Sequence, residues 1–184
     1  MYTDYEFQSR KRLRLKNYDY STHGYYFVTL CTENRDCLFG DIVNKIMVLN
    51  PAGNMIQSVW EGLSNLYPSV KVDSLIIMAN HIHAVLVIEN HLKANNKTGS
   101  FNLSSNLSLP TLMRNIKSYT TTLYIKGVKT ENWLAFQNRL WQRSYHEHII
   151  RNDRNLERIR QYIEDNPLKW DLDRNNPVFK KTNK

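Results

Sequence analysis

The sequence predicts an α+β domain in which helices pack on one face of an antiparallel sheet. Apolar segments typical of strands come in groups of two or three that are separated by short turns, so neighbouring strands can pair antiparallel. Long amphipathic segments lie between these groups, and each carries one apolar stripe that can cover a sheet. The expected order of elements is approximately βββαββαβα.

Length and charge limit the chain to one domain and indicate a partner that carries phosphates. The 184 residues are enough for one core but not for two ordinary domains. We expect a basic arm at 1–23, a single domain at 24–170 and a basic tail at 171–184. The 25 Lys and Arg residues against 17 Asp and Glu give a net charge of +8, which favours nucleic acid over a neutral metabolite.

Cysteine content and hydropathy indicate a reduced, cytoplasmic protein. Cys31 and Cys37 are too few for a cysteine-rich metal site or a secreted disulfide scaffold. The first residues lack the features of an export signal, and no apolar run approaches the roughly 20 residues of a membrane helix. We therefore expect no contact with a membrane.

The first elements are expected to be three strands and a helix. Residues 25–32 are rich in aromatic and β-branched side chains, as in a central strand, and shorter strands are expected at 37–40 and 42–49. Asn50 and Pro51 then open a helix, because asparagine caps helices and proline suits their first turn.

Two apolar runs within residues 74–88 meet at His81-x-His83 and predict two further strands. Successive side chains of a strand alternate between its faces, so both imidazoles project to one side while Ile82 enters the core. Two imidazoles on a rigid strand can share one cation. The alternative is a pair of hydrogen-bonded histidines with no ligand.

A polar connection at 90–109 precedes a second long helix at 110–126, with Gly127 as its expected stop. Tyr119 falls on a shoulder of the apolar stripe of this helix, where its hydroxyl can reach outward beside Lys126. The alternative is a tyrosine that only covers the margin of the core.

The last third of the chain contains a second His-x-His, at His146 and His148, with Glu147 between them. Asn152 or Asp153 caps a final helix that stops at Asn166-Pro167. Its inward-facing residues are expected to be Leu156, Ile159, Tyr162 and Ile163.

In this layout His81 and His83 lie on a central strand, and Tyr119 lies on a helix that crosses the sheet, so the three can converge. A metal ion held by two neutral imidazoles is a Lewis acid for a phosphodiester. Tyrosine, ordinarily a weak nucleophile with a pKa near 10, could then attack the polarised phosphorus.

These residues resemble the single-tyrosine HUH transposases, specifically the REP-associated tyrosine transposase branch. The resemblance covers most of the chain, and its ordered set of segments is more specific than His-x-His alone. The matching segments are 25–32, the HUH motif at 78–83, the tyrosine helix at 116–120, and the stretches 141–151 and 162–170.

The resemblance implies a ferredoxin- or RRM-like HUH endonuclease fold and a metal-dependent endonuclease and strand transferase that acts on single-stranded, hairpin-forming DNA. It implies that His81 and His83 hold Mg²⁺ or Mn²⁺, and that Tyr119 attacks the scissile phosphate. The products would be a 5′-phosphotyrosine and a free 3′-OH, and the 3′-OH of another strand could reverse the step. Relatives act as monomers or homodimers.

One position departs from the family pattern. Insertion-sequence relatives carry a polar metal ligand one helical turn after the tyrosine, and here that position is Leu123. A third ligand is therefore expected from Glu147 or His148. Basic residues are expected to contact phosphates, namely Arg10, Arg12, Arg114, Lys117, Lys126, Arg143 and Arg151.

Two other functions stay open from the sequence. A non-catalytic protein that binds structured nucleic acid would stack bases on Tyr25 and Tyr26 and would tolerate loss of His81. A zinc hydrolase would use all four histidines of the two His-x-His pairs, with water as its nucleophile.

Overall fold

The computed structural model describes residues 18–89 and 107–178; Arg10 and Arg12 lie outside this range. The described part contains six strands and four α-helices, with a closing 3₁₀ helix at Pro167–Leu172. In chain order they are β1 (Gly24–Cys31), β2 (Gly40–Val43), β3 (Ile46–Leu49), α1 (Pro51–Glu61), α2 (Leu63–Leu66), β4 (Val70–Ile77), β5 (His81–Ile88), α3 (Leu109–Thr130), β6 (His146–Ile150) and α4 (Asp153–Glu164).

Four strands form one antiparallel sheet in the order β4-β5-β1-β6. Strands β2 and β3 form a separate hairpin, whose turn residues Asn44 and Lys45 both have positive φ. The predicted α+β class is confirmed. The strands expected at 37–40 and 42–49 are instead the two strands of this hairpin, which are separated by a turn at Asn44 and Lys45. Strand β5 lies inside the sheet, so β4 and β1 hydrogen-bond to it from both sides.

The two faces of the sheet carry different helices. Val28 of β1 and Ala84 of β5 pack with Leu112 and Ile116 of α3 and with α1 in the main core. The alternate residues Phe27 and Val85 face the other way and pack against α4. Two crossing helices therefore share one face, as expected, and α4 covers the opposite face.

Helix α3 continues past the stop predicted at Gly127 and ends at Thr130. A Cβ atom at position 127 would lie 2.3 Å from Cε3 of Trp133. Glycine is therefore needed here for the close approach of an indole ring, and it does not end the helix.

The boundaries predicted at residues 23 and 170 do not separate the domain from its ends. Tyr20, within the predicted arm, is buried in the main core, and its carbonyl accepts a hydrogen bond from the Leu109 amide at 3.0 Å. Asn175 and Asn176, within the predicted tail, are also buried. The domain therefore includes residues 18–23 and 171–178.

Cys31 and Cys37 are free thiols. Among the described residues, the helices are all too short or too polar to cross a bilayer.

Candidate active site

The two histidines of β5 point to the same side of the sheet, as their spacing predicts. The Nε2 atoms of His81 and His83 lie 3.1 Å apart, and their exposed fractions are 0% and 2%. A buried polar group without a partner is costly. These two nitrogens therefore need either a proton between them or a shared ligand.

The Nδ1 atom of each histidine is already in a hydrogen bond, which leaves the Nε2 atoms as the candidates for binding a metal ion. His81 Nδ1 lies 2.9 Å from Oδ1 of Asn80, and His83 Nδ1 lies 2.8 Å from Oγ1 of Thr29. An amide oxygen only accepts hydrogen bonds, so His81 carries its proton on Nδ1. The lone pair on Nε2 of His81 then faces His83, as in a histidine oriented to bind a metal.

The amide of Asn80 is itself fixed in this orientation. Its Nδ2 donates to the carbonyl oxygens of Arg35 at 2.8 Å and Asn175 at 2.9 Å. A carbonyl oxygen cannot donate a hydrogen bond, so the atom of Asn80 that faces these two carbonyls must be its nitrogen. The atom that faces His81 is therefore the Asn80 oxygen. The network therefore ties the histidines to the segment at 171–178.

Both histidines are held in the neutral form. Burial lowers the pKa of His81 to about 4, although the Asp173 carboxylate and the Asn166 side chain partly oppose this effect. Burial, and then the neighbouring His81, lower the pKa of His83 well below its ordinary value. Neutral imidazole is the form that binds metal ions, so protons do not compete near pH 7.

A carboxylate completes a possible cation site. Asp173 Oδ2 lies 3.8 Å from Nε2 of His81, and ligand atoms of His81, His83 and Asp173 all lie within 4.8 Å of one another. This is the one such cluster among the described residues. Trp170 stacks on His81 with ring centroids 6.0 Å apart. Two neutral nitrogens and one buried carboxylate fit a divalent cation.

A tyrosine of α4 meets the histidines. Tyr162 Oη lies 3.3 Å from Nε2 of His83, and Phe27 contacts both rings. Burial and then Asp173 raise the pKa of Tyr162, whereas Asn166 and Arg174 act in the opposite direction. The phenol is therefore protonated near pH 7 and becomes a nucleophile only when its proton is removed.

Asn166 lies one helical turn after Tyr162. Asn166 is buried, and its Oδ1 accepts no hydrogen bond of ordinary geometry within the described residues. Its side chain lowers the pKa of Tyr162 and raises the pKa of His81. Its amide oxygen is a second candidate oxygen ligand.

The expected convergence of Tyr119 with the histidines does not occur. Ile116 and Thr120 of the same helix are buried on the α1 side of the sheet, and the histidine rings project from the other side. Tyr119 is 50% exposed and borders a groove beside Tyr67. The sheet therefore separates Tyr119 from His81 and His83.

Glu147 and His148 are not brought to the histidine pair either. Glu147 lies opposite Val28 in the β1–β6 ladder and so belongs to the face that carries α1 and α3. His148 lies opposite Phe27, and its Nε2 is 2.9 Å from the Asn155 amide nitrogen. Neither side chain therefore lies in the cluster of His81, His83 and Asp173, and within residues 18–89 and 107–178 the four histidines of the two His-x-His pairs do not form one cluster.

The predicted phosphate contacts divide into two groups. Lys117 is partly buried, and its Nζ donates to the carbonyl oxygens of Gln142 at 2.5 Å and Arg143 at 3.0 Å, so it anchors the chain. Burial also lowers the pKa of Lys117. The exposed members are Arg114, Lys126, Arg143 and Arg151.

Sequence reasoning placed Tyr162 in the core and missed Asn166 and Asp173. A signal for the first two was present. The family pattern has a polar residue four positions after the tyrosine. Leu123 occupies that position after Tyr119, whereas Asn166 occupies it after Tyr162. Asp173 carries no local signal, because it belongs to an irregular segment.

Comparison with known proteins agrees with this architecture. Residues 20–166 match the family model described as "Transposase IS200 like". An uncharacterized protein of Haemophilus influenzae is 36% identical over 169 residues, which cover 89% of this chain and 91% of that protein. The fold is similar to that of a REP-associated tyrosine transposase solved with a REP hairpin, with a TM-score of 0.55, 18% identity and coverage of 85% and 73% of the two chains.

Proposed function

The chain belongs to the IS200-like transposase family, and from this we propose that it is a metal-dependent endonuclease and strand transferase that cuts single-stranded, hairpin-forming DNA with Tyr162. The family makes it a DNA-processing transposase. The choice of nucleophile rests on one observation: Tyr162 Oη lies 3.3 Å from His83 Nε2, whereas Tyr119 lies across the sheet.

His81, His83 and Asp173 would hold the cation, and Asn166 would add an amide oxygen. When bound, Mg²⁺ or Mn²⁺ supplies Lewis-acid polarisation of the scissile phosphate. Asn80 and Thr29 fix the imidazole orientations through their hydrogen bonds to the two Nδ1 atoms. The burial of both rings keeps them neutral.

Tyr162 performs the covalent step. Its Oη forms a bond to phosphorus, the bond from phosphorus to the 3′ oxygen breaks, the phenolic proton is lost and the departing 3′ oxygen gains a proton. The product is a 5′-phosphotyrosine, which a 3′-OH can attack in the reverse direction because the phosphodiester energy is conserved. Tyr162 is 42% exposed, so part of this side chain is accessible to DNA.

One chain supplies all of these groups, so a monomer is sufficient for cleavage. The proposed partner is DNA, whose phosphates are attracted by the net charge of +8 on the protein. Arg114, Lys126, Arg143 and Arg151, with Arg10 and Arg12, are the proposed phosphate contacts. Lys117 is left out because its ammonium group is already bonded within the protein.

Incubation of the protein with labelled hairpin DNA and Mn²⁺, followed by denaturing electrophoresis, tests this assignment. The wild type is expected to give a covalent adduct that Tyr162→Phe and His81→Ala abolish. Tyr25→Phe is the matched control, since this tyrosine lies on the same face of β1 as Phe27 but outside the site, and it is expected to keep the adduct. Mass spectrometry then identifies the tyrosine that carries the nucleotide.

The outcomes separate the two tyrosines. A nucleotide on the peptide that contains Tyr162 supports the proposal. An adduct that persists in Tyr162→Phe and maps to Tyr119 would show that Tyr119 on α3 is the nucleophile. Binding of hairpins without any adduct in the wild type would favour the non-catalytic binding protein.

A further inference from the structure

The groove that contains Tyr119 is a second feature with chemistry of its own. It lies between α2 and α3, on the side of the sheet away from the histidines, and its volume is about 590 Å³. This is within the usual range for sites that take small organic ligands. The buried side chains of Leu63 and Ile116 line the groove, together with Tyr67 and the half-exposed Tyr119.

The side chains lining this groove are neutral throughout its described extent. Asn115 Nδ2 donates to Tyr67 Oη at 3.2 Å, which fixes the position of one ring and leaves the amide oxygen of Asn115 as an acceptor. Thr122 adds a hydroxyl group. Two aromatic rings with a few hydrogen-bonding groups suit a planar heterocycle.

Helix α3 brings an exposed basic side chain to the side of the groove. Helix α3 carries Arg114, Lys117, Lys126 and Lys129 and no Asp or Glu. Lys126 lies seven residues after Tyr119 and so on the same side of the helix. A neutral slot beside the exposed Lys126, on a chain with a net charge of +8, matches a polynucleotide, whose bases are neutral and whose backbone is anionic.

We propose that this groove binds an unpaired nucleobase of the DNA substrate, which stacks on Tyr119. The inference deepens the proposed function and rests on it for the identity of the polymer. The site lies across the sheet from Tyr162, so a base held here anchors the DNA without touching the reacting phosphate.

Fluorescence anisotropy tests the groove separately from cleavage. All proteins carry Tyr162→Phe and are kept in chelator, so that no adduct forms. The probes are one hairpin with single-stranded tails of only dA, dC, dG or dT, and the same hairpin with an abasic tail. At least one base-bearing tail is expected to bind about 10-fold more tightly than the abasic tail, as one stacked base typically provides.

Tyr119→Ala is expected to remove that advantage while the abasic probe binds as before. Leu134→Ala is the control, because Leu134 is a 68% exposed apolar side chain outside the groove, and it should keep the advantage. Circular dichroism confirms the fold of each protein.

Three results would overturn the inference. They are equal binding of all tails by the parent protein, an advantage that survives in Tyr119→Ala, and sedimentation showing that Tyr119→Ala converts a dimer into a monomer. The last result would make the groove a contact between copies of the chain. A missing cleavage adduct with a Tyr119-dependent advantage would contradict only the proposed catalysis.

Discussion

Acidification of the metal-free protein should reduce its stability through His81. Burial lowers the pKa of this histidine from 6.5 to about 4 in the folded state, while the unfolded chain keeps the ordinary value. As the pH falls below about 6.5, the unfolded state binds a proton that the folded state does not, so the stability decreases. The decrease continues until the pH approaches the folded-state pKa.

The expected magnitude follows from the two pKa values. Between about pH 8 and pH 5 the difference in proton binding at His81 alone costs about 2 kcal/mol. The pKa of His83 is lowered in the same direction and adds to the loss. Typical domains have a total stability of about 5–15 kcal/mol, so the change is readily measurable.

Urea unfolding in chelator, followed by tryptophan fluorescence, measures this effect at both pH values. His81→Gln removes the titrating group and should reduce the acid-induced loss by about 2 kcal/mol. His23→Gln removes an exposed histidine and should leave the loss unchanged. Equal losses in the wild type and His81→Gln would refute the reasoning, because acid would then act at another group.

Three further substitutions test the structure around the site. Gly127→Ala should destabilise the protein by about 1–2 kcal/mol in urea unfolding, because the new methyl group overlaps Trp133; a more stable variant would show that the indole moves aside. Asn80→Ala should weaken Mn²⁺ binding about 10- to 100-fold in calorimetric titrations, since it frees the His81 ring, and unchanged affinity would contradict that role. Thr120→Val should cost about 1–3 kcal/mol by leaving Trp141 Nε1, bonded to it at 3.0 Å, without an acceptor, and Thr120→Ser should restore most of the loss.

The sequence could predict the strands, the helices and the shared direction of the two histidines, because each depends on local periodicity. The alternation of β5 alone sets His81 and His83 on one side. The choice between Tyr119 and Tyr162 depends on which face of the sheet each helix covers. A helical stripe shows which side of a helix is buried, but it does not show which face of the sheet the helix covers.

The remaining site residues were hidden for a related reason. Asp173 reaches His81, and Asn175 reaches Asn80, from an irregular segment after the last helix. Such segments have no periodic sequence pattern. Their positions are fixed by hydrogen bonds to residues almost one hundred positions earlier, as between Asn80 and Asn175. Contacts of that kind become visible only in three dimensions.

The strand that carries the histidines, β5, resists local unfolding better than the helix that carries the tyrosine, α4, because β5 lies inside the sheet. Its amides are protected by ladders on both sides, whereas α4 is a single amphipathic layer on the outside of the sheet. Local opening begins where few contacts must be lost. In hydrogen exchange α4 should therefore open before β5, and the protein can release its tyrosine while the paired imidazoles stay in register.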